Sequence, residues 1–447
     1  MSKTNDVKKS VAIIGAGYTG LVAAYRLAKA GQVVTLYERE PYVAGLVSGF
    51  SLDGIAMEKI YHFLYKTDAD ILSLLEELGI REKLVFHDSS VSTYYDGKIY
   101  PFMTPVDILR FTPLSLSNRI RFGVVGLYLQ FLNRWEPLTR VTAYDWMLKW
   151  SGKEVMDIIW TPLLKGKFSK YYDKIAMSWL WSRIRVRARS KEKGDVVEKL
   201  GYFSGGWHIV ADRLVEEIQQ LGGEIRTGTQ IESLRSIPES GKIEIVIGGT
   251  PILHDSVIAT VPTHVFGRLV ENDPLATAEY KSQLASIDYI GAVVMPFVST
   301  QRITSYYWHN INDSRCPFLV FLSLSELAGS GNFGGKHVYY VGAYVSHDHP
   351  YFSLEKEAIM DEWKAGLKLM FPDFDASKIT AAELFRFKNA QHIVGMGYRE
   401  KMPAYQTPLP GIYLANFSQI YPDDRGTNYA VRDGNMIADM VLRNLNI

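Results

Sequence analysis

Residues 11–38 read VAIIGAGYTGLVAAYRLAKAGQVVTLYE, and this stretch decides the fold of the 447-residue chain. The apolar run at 11–14 predicts a buried parallel strand. A helix is predicted next, because apolar residues recur at helical spacing at Leu21, Ala24, Leu27 and Ala28. Gly31 ends that helix, and a second apolar run at 33–37 predicts a strand that stops at Glu38. The stretch therefore predicts a complete βαβ unit.

The glycine spacing inside this unit indicates dinucleotide binding. Gly15 permits a tight turn, Gly17 lets the backbone approach a pyrophosphate, and Gly20 allows the helix to pack closely on the strand. The helix N-terminus adds amide donors and the positive end of a dipole. Glu38 is placed to accept hydrogen bonds from a ribose hydroxyl and would repel a 2′-phosphate, which favours FAD or NAD over NADP. The predicted contact residues are Gly15, Ala16, Gly17, Tyr18, Thr19, Gly20 and Glu38.

Composition limits the function classes. The formal net charge of +1 gives no general nucleic-acid signal, although residues 105–193 carry 17 Lys and Arg against 7 Asp and Glu. Cys316 is the only cysteine, which excludes an internal disulfide, a thiolate iron–sulfur cluster and a cysteine zinc site. The longest later apolar stretch, 122–132, is too short to span a bilayer. We therefore expect a cytoplasmic protein, soluble or monotopic, with no nucleic-acid partner; the oligomeric state stays open.

Periodicity predicts the remaining elements. A helix at 69–78 precedes alternating residues at 84–100, and the turn signal Asp96-Gly97 predicts a hairpin there. Residues 105–193 follow a helical pattern and include 14 aromatic side chains. The later predicted elements are a helix at 208–221, strands at 256–260, 292–298 and 337–345, and a helix around 354–370.

Three segments resemble the superfamily of FAD-dependent amine oxidases, phytoene desaturases and protoporphyrinogen oxidases. Residues 39–54 carry a second glycine motif after the acid, and 160–168, WTPLLKGKF, is similar to the protoporphyrinogen oxidase-like branch. Residues 411–434 resemble the family's closing motif, whereas the likeness is loose at 263–380. The resemblance implies an α/β GR2-type flavoprotein fold, with a Rossmann-type FAD-binding domain, a mixed-sheet substrate domain and a helical lid lobe.

The resemblance also implies a discontinuous domain organisation. An enzyme that used NAD alone would not need a closing motif that returns the chain to the first sheet. The expected parts are FAD-binding segments at 1–100 (with the hairpin), 196–262 and 411–447, a helical basic and aromatic lobe at 101–195, and a substrate domain at 263–410.

Family positions imply further cofactor contacts. Ala44 stands where the family usually has the first glycine of its second motif, so we expect a slightly different local backbone, because alanine disfavours positive φ. The sequence Tyr61-His62 resembles an aromatic-flanked histidine near the flavin ring, although a histidine packed at a strand end explains it too. Ile231 matches the residue that presents its backbone to the adenine. The implied contacts are Arg39, Gly45, Leu46, Tyr61, Ile231 and Thr260.

The closing motif implies a second group of cofactor contacts. In the family, a helix starting near Ala430 aims its N-terminus at the flavin pyrimidine, where the positive dipole end stabilises charge on the reduced ring. The family commonly has glycine and an acid where this chain has Asn416 and Phe417, so the usual carboxylate is missing or is supplied by Asp423 or Asp424. The implied contacts are Asn416, Gly426, Asn428, Tyr429 and Ala430.

Arg183, Arg185 and Arg187 are the candidate substrate-binding residues. Together with Arg189 they place four guanidinium groups on one face if the segment is extended, which suits phosphate or carboxylate groups. A solvated basic strand explains the same pattern. If the arginines are functional, they favour a small-molecule or lipid-like anionic substrate.

Residues 105–135 interleave apolar side chains with arginine and allow two interpretations. The segment either makes peripheral contact with a membrane or forms a packed helical lid over the substrate. His347 and His349 are separated by one residue without a partner carboxylate pattern, so no metal site is predicted.

The candidate catalytic residues are His62, from the family pattern, and four residues of the expected substrate domain that could face the ring. For each of them, core packing is an equally good interpretation. Residues 291–297 lack the lysine that many amine oxidases place near the flavin, which disfavours amine oxidation, and Cys316 lies too far upstream for covalent attachment of FAD. The candidates are His62, Tyr307, His309, Gln391 and His392.

The leading interpretation is a desaturase or oxidase in which a noncovalent FAD accepts hydride at N5 from an amphiphilic, anionic substrate. An alternative is a flavin-dependent nucleotide-sugar mutase resembling UDP-galactopyranose mutase, with no net redox change. A further alternative is a non-enzymatic prenyl-group binder resembling Rab GDP-dissociation inhibitor, which the intact fingerprint at 15–20 disfavours.

Overall fold

The structure is a computed structural model that describes residues 8–190 and 197–445. Some expected segments therefore extend beyond it. Residues 1–7, 196 and 446–447 of the FAD-binding segments, and 191–195 of the helical lobe, lie outside the described residues.

The strands of the described residues are numbered in chain order. They are β1 (Ser10–Ile14), β2 (Val33–Tyr37), β3 (Gly49–Leu52), β4 (Ile55–Glu58), β5 (Leu64–Tyr65), β6 (Leu84–Asp88), β7 (Val91–Tyr95), β8 (Lys98–Pro101), β9 (Lys199–Phe203), β10 (Glu224–Arg226), β11 (Ser233–Ile237), β12 (Lys242–Ile247), β13 (Thr250–His254), β14 (Ser256–Ala259), β15 (Tyr289–Ser299), β16 (Trp308–Ile311), β17 (Val320–Ser323), β18 (His337–Val345), β19 (Ile379–Ala382), β20 (Phe385–His392) and β21 (Ile412–Leu414).

The α-helices are numbered in the same way. They are α1 (Tyr18–Lys29), α2 (Ala69–Glu77), α3 (Pro105–Arg110), α4 (Leu116–Phe131), α5 (Ala143–Ser151), α6 (Lys153–Val155), α7 (Thr161–Phe168), α8 (Met177–Arg189), α9 (His208–Gln220), α10 (Thr263–Leu269), α11 (Ala278–Ala285), α12 (Leu324–Ala328), α13 (Lys356–Met370), α14 (Tyr398–Lys401) and α15 (Thr427–Asn444). A π-helical turn, Met156–Trp160, joins α6 to α7.

Five parallel strands form the dinucleotide-binding sheet, in the order β10-β2-β1-β14-β21. Helix α1 connects β1 to β2, and Gly31 leaves that helix with a φ of +81°, a conformation that glycine adopts without strain. The central strands are buried along almost their whole length because helices and a further sheet cover both faces. The βαβ unit, the return strand β14 and the α/β fold class predicted from the sequence are confirmed.

A large mixed sheet forms the second layer of the molecule. Its order is β19-β15-β18-β17-β16-β7-β8, and β20 also pairs with β15. Helix α13 packs Ile359, Trp363 and Leu367 into the core under this sheet. The predicted strands at 292–298 and 337–345 and the helix around 354–370 are confirmed within β15, β18 and α13.

The hairpin β7–β8 belongs to this large sheet. It turns at Asp96 and Gly97, both with positive φ, as a two-residue hairpin requires. However, β7 runs parallel to β16, with Val91 opposite Trp308. The hairpin was expected within the FAD-binding segment 1–100; the partner strand that joins it to the large sheet lies far along the chain and leaves no trace in the local pattern.

Helices α3 to α8 form the helical lobe, which packs on the large sheet through α7. The arginine-rich stretch lies on α8, so the extended strand considered for Arg183 to Arg189 was wrong. The preceding residues of α8 are buried, among them Trp179, Leu180 and Trp181, and this packing extends the helix through the alternating basic stretch. Among the described residues, no helix is both long enough and apolar enough to cross a membrane.

Candidate cofactor and substrate site

The turn after β1 is held by backbone and by Thr260. Gly15 has a φ of +103°, its N–H donates to the Tyr37 carbonyl over 2.8 Å, and a Cβ at this position would lie 2.6 Å from the Thr260 hydroxyl oxygen. That hydroxyl donates to the carbonyls of Ile14 and Gly15 over 3.0 and 2.9 Å. Thr260 therefore fixes the turn from the neighbouring return strand.

Gly20 and Gly17 differ in what surrounds them. A Cβ on Gly20 would overlap the Gly15 carbonyl oxygen and lie 3.2 Å from the carbonyl carbon, so Gly20 is needed for protein packing. A Cβ on Gly17 would meet no protein atom within 4 Å, and its φ of −68° is open to any residue. Open space beside Gly17, at the N-terminus of α1, fits a pyrophosphate that needs close approach to backbone amides.

The loop after β2 closes the other side of this space. Gly45 has a φ of +53°, and a Cβ there would lie 3.4 Å from the Cα of Gly17. Ala44 adopts the left-handed conformation with a φ of +75°, and its N–H donates to the Ala16 carbonyl over 2.7 Å. The expected change of backbone at Ala44 is thus absent, since the hydrogen bond and the packing against Gly17 impose the glycine-like conformation.

Glu38 is held ready to accept hydrogen bonds. Its carboxylate accepts from the backbone N–H of Ala16 over 2.8 Å and of Glu40 over 2.9 Å, which leaves lone pairs on both oxygens for ribose hydroxyls. The Thr229 N–H donates to the Glu38 carbonyl. This hydrogen bond places the segment before the buried Ile231 beside Glu38. Arg39 pairs with Glu40 in solvent. These residues fit the adenosine half of FAD.

The two ends of the chain meet at this site. A Cβ on Gly434 of α15 would lie 2.8 Å from the Thr19 carbonyl oxygen and the Val22 Cβ, so α15 packs very closely on α1. Helix α15 begins after Gly426 and has neither an acidic residue in its first turn nor a side-chain cap. Its N-terminal amides and dipole are therefore available to an electron-rich ring edge. Asn428 braces this end by accepting from the Ile71 N–H over 3.1 Å.

Asn416 does not take over the role of the family's acid. Its side chain caps the short turn Phe417–Gln419 by accepting from the Ser418 N–H over 2.9 Å, and its amide donates to the Val261 carbonyl over 2.8 Å. The two acids considered as replacements are also committed to protein partners, because Asp423 accepts from Ser182 and Asp424 from Lys167.

A cavity of about 920 Å³ lies where the FAD-binding part, the helical lobe and the large sheet meet. Its walls are mainly apolar, which suits an amphiphilic ligand more than a purely polar one. On the cofactor side it is bordered by Ile60, Tyr61, His62, Phe63, Gly426, Thr427, Asn428 and Tyr429. From the large sheet come Tyr307, Trp308, Asn310, Leu319, Val320 and Tyr344.

A cationic cluster surrounds Asp424 at one wall of the cavity. Asp424 contacts the Lys167 amino group at 3.1 Å, the Trp179 indole N–H at 3.2 Å and the Arg183 guanidinium at 3.5 Å. Burial alone raises the pKa of Asp424, but Lys167, Arg183 and Arg425 outweigh it and hold this pKa well below its usual range. One carboxylate therefore faces three cations, and the excess positive charge borders the cavity.

Only part of the arginine row reaches the cavity. Arg183 and Arg187, four residues apart on α8, both border it. Arg187 lies 3.8 Å from Glu198, so both arginines make long ion pairs that leave guanidinium donors for a ligand. Arg185 stacks over Trp181 on another face of α8 and does not border the cavity. Its selection as a substrate-binding residue rested on an extended chain, whereas the segment is helical.

Tyr61, His62 and Tyr307 border the cavity. The Tyr61 ring packs edge-on against Trp308 at 5.3 Å. His62 donates from Nδ1 to the Ile60 carbonyl over 2.7 Å, and burial lowers the pKa of His62 to about 4. His62 is thus neutral near pH 7 and exposes an acceptor nitrogen. Burial raises the pKa of Tyr307 far above its usual range, so this phenol stays protonated.

The other candidate catalytic residues lie away from the cavity. His309 is fully buried, and its ring nitrogens hydrogen bond to Ser92 at 2.6 Å and Thr304 at 2.8 Å. Strand alternation turns His309 into the core under the large sheet, where it does not border the cavity. Gln391 and His392 are also fully buried and do not border the cavity.

Sequence reasoning missed Lys167 and Tyr344. Lys167 sits inside the segment 160–168 that resembles the family, yet its pairing with Asp424 joins residues 257 positions apart. Tyr344, the last inward-facing tyrosine of β18, lies under the Lys167 amino group and accepts from Arg425 over 3.3 Å. Strand alternation was the only sequence signal for Tyr344.

Comparisons with known proteins agree with this geometry. The family model of flavin containing amine oxidoreductases matches residues 18–436. The chain is similar to protoporphyrinogen oxidase 2 of Arabidopsis thaliana, with 24% identity over 257 residues that cover 51% of this chain and 50% of that protein. The match thus spans about half the length of this relative.

Two solved structures share the fold. An oxidoreductase from Methanosarcina mazei is 18% identical with a TM-score of 0.74, covering 96% of this chain and 100% of that one. A reduced UDP-galactopyranose mutase is 16% identical with a TM-score of 0.75, covering 98% of this chain and 94% of the other. The resemblance to flavin-dependent oxidoreductases, the flavoprotein fold and FAD as the cofactor, all predicted from the sequence, are confirmed.

Proposed function

The chain belongs to the flavin-containing amine oxidoreductase family, and on that premise we propose that it is an FAD-dependent oxidoreductase of the desaturase or oxidase type. Its substrate is an amphiphilic molecule with a carboxylate or phosphate group. The observation that carries this proposal is the cavity, whose apolar walls end at the N-terminus of α15 and at the cations around Asp424.

FAD, when bound, supplies the acceptor that takes hydride at N5 from a substrate carbon. The protein's own residues orient the substrate and exclude water. The apolar walls remove solvent from the reacting carbon, and Arg183 and Arg187 hold the anionic group in a fixed direction. The N-terminus of α15 stabilises negative charge that develops beside it. Neutral His62 adds no positive charge that would disfavour hydride loss from the carbon.

The test is the visible spectrum of the purified protein during anaerobic titration. We expect a yellow protein whose oxidised flavin bands bleach on addition of a substrate of this class, with a porphyrinogen carboxylate and a polyprenyl phosphate as the first probes. A colourless protein that gains no flavin absorbance when FAD is added would contradict the proposal.

A mutase acting on a nucleotide sugar is the second candidate. The observation that favours it is the Arg183 and Arg187 pair, which suits a diphosphate as well as a carboxylate. The two candidates differ in what they need: the mutase converts a nucleotide sugar only after reduction of its flavin and consumes no electron acceptor. Oxidation of a substrate coupled to reduction of an acceptor would exclude it.

A further inference from the structure

Helices α3, α4 and α5 present a broad apolar surface, which we call the α4 face. On α4, exposed apolar side chains recur at intervals of three and four residues, which places them on one side of the helix. Their exposed fractions lie between 53% and 73%, with Phe131 the most exposed. The face comprises Val106, Leu109, Leu116, Ile120, Val124, Leu127, Tyr128, Phe131, Leu148 and Trp150. A contiguous apolar surface of this kind marks a place of interaction.

The cavity reaches the surface within the α4 face. Leu109 of α3 and Ile120, Val124 and Leu127 of α4 are each about half exposed, and each also borders the cavity. The opening therefore lies between α3 and α4 and is rimmed by apolar side chains. Arg183, Arg187 and Lys167 border the same cavity from α8 and α7. The opening is mainly apolar, with Arg119 beside it, and the interior carries four cations, Lys167, Arg183, Arg187 and Arg425, against the acids Asp68, Glu198 and Asp424.

The charge around the α4 face suits an anionic surface. Residues 105–150 contain six arginine and lysine residues against three acidic residues. Arg110, Arg134 and Lys149 are exposed beside the apolar side chains. Apolar residues flanked by cations are the pattern of a helix that lies in the interface of a bilayer with anionic lipids. Helix α4, with 16 residues, is too short to cross a bilayer and long enough to lie along it.

We propose that the α4 face docks on the surface of a lipid bilayer, and that an amphiphilic substrate passes from the lipid layer into the cavity with its anionic group first. The docking surface stands on its own observations, whereas the direction of substrate binding rests on the proposed function. The cations inside attract the anionic group, and the apolar rim stays in contact with the trailing hydrocarbon part.

The docking is tested by flotation of the FAD-bound protein with vesicles of phosphatidylcholine containing phosphatidylglycerol. We expect the protein to float with these vesicles and to float less with phosphatidylcholine alone. Phe131→Glu should lower the vesicle partition coefficient by about tenfold or more, since it replaces the exposed aromatic side chain that would enter the bilayer with a charged one. Leu253→Glu is the matched control, because Leu253 is 51% exposed on β13, away from the α4 face.

Three outcomes would overturn the docking proposal. The first is wild-type protein that stays at the bottom of the gradient, and the second is equal flotation of the Phe131→Glu and Leu253→Glu variants. The third is a dimer in size-exclusion chromatography that Phe131→Glu dissociates, because the face would then bind a second copy of the chain. Equal melting temperatures of the two variants show that both are folded. Flotation needs no substrate, so its result is independent of the proposed reaction.

The direction of binding is tested with dodecyl phosphate as the probe. Its binding is followed by the change that it causes in the visible spectrum of the bound flavin. We expect Arg183→Gln to weaken this binding by about tenfold or more and Leu127→Glu, at the opening, to weaken it as well. Dodecyl phosphate that binds equally well to the wild type and to Arg183→Gln would overturn the direction while leaving the docking surface intact.

Discussion

Gly17 and Gly20 stand three residues apart in one turn, and replacing each should have opposite consequences. Gly20→Ala places a Cβ against the Gly15 carbonyl, a rigid backbone group. Such overpacking destabilises by about 1–3 kcal/mol, and the contact with backbone puts this case at about 3 kcal/mol. The unfolding entropy of a 447-residue chain is about 0.9 kcal/mol per kelvin, so the melting temperature of the apoprotein should fall by about 3 °C.

Gly17→Val should leave the fold intact. The new side chain meets no protein atom, and the φ of −68° and ψ of 173° suit a β-branched residue. Loss of glycine at a helix N-cap costs about 1 kcal/mol, and the smaller entropy of the unfolded chain offsets about 0.4–1 kcal/mol of it. The melting temperature of the apoprotein should thus stay within about 2 °C of the wild type.

FAD affinity should fall most in Gly17→Val, the variant whose stability changes least. A valine side chain beside Gly17 keeps the pyrophosphate from the first amides of α1, and the loss of two charge-assisted hydrogen bonds amounts to about 3–6 kcal/mol. The Kd for FAD should rise by a factor of about 10² to 10⁴. Titration of apoprotein with FAD, followed by quenching of flavin fluorescence, measures this Kd. A Gly17→Val protein that binds FAD like the wild type would refute the placement of the pyrophosphate. One that unfolds would refute the conclusion that a side chain at position 17 meets no protein atom.

Three further predictions concern single side chains. Ala44→Gly should stabilise the apoprotein by about 0.5–1 kcal/mol in urea unfolding, because it relieves the left-handed conformation of an alanine; a destabilised variant would contradict the strain. Burial raises the pKa of Glu58 from 4.5 to about 7, so the folded state binds a proton more tightly than the unfolded state does. The stability that this protonated carboxyl contributes is therefore lost as the pH rises from about 4.5 to 7. Glu58→Gln should remove that loss, of about 3 kcal/mol, and a variant with the wild-type pH dependence of unfolding would show that Glu58 is ionised in the fold. Arg183→Gln should weaken binding of an anionic ligand by about tenfold or more and Arg185→Gln should leave it unchanged; equal effects in equilibrium titrations would remove the distinction between the two faces of α8.

The first βαβ unit was predictable because its determinants are local. Gly15, Gly17, Gly20 and Glu38 lie within 24 positions and act through the backbone of one turn. The same holds for the hairpin turn at Asp96, where two residues decide the conformation. Sequence patterns of this kind need no knowledge of the tertiary structure.

The arginine stretch shows where local patterns fail. Arginine alternates with Ile184, Val186 and Ala188, which is the period of a strand, yet α8 continues through it. The buried start of α8 supplies the stabilisation, so tertiary packing overrides the local alternation. The position of His309 could not be predicted for a related reason. Strand alternation predicts that successive side chains point to opposite faces of the sheet, but only the assembled sheet shows which face borders the cavity.

The cationic cluster could not be predicted from any one segment, and this is a consequence of how the cavity is built. Asp424 comes from the loop before α15, Lys167 from α7 and Arg183 from α8. Three separate parts of the chain therefore contribute to one group of ion pairs. Because a buried carboxylate needs its partners, Asp424 couples the placement of α7 and α8 to the start of α15. The helix end that stabilises charge near the cofactor and the arginine that faces the substrate are therefore positioned together. The closing segment of the chain thus positions residues of both the cofactor site and the substrate cavity, whereas the opening turn at Gly15 positions only the cofactor site.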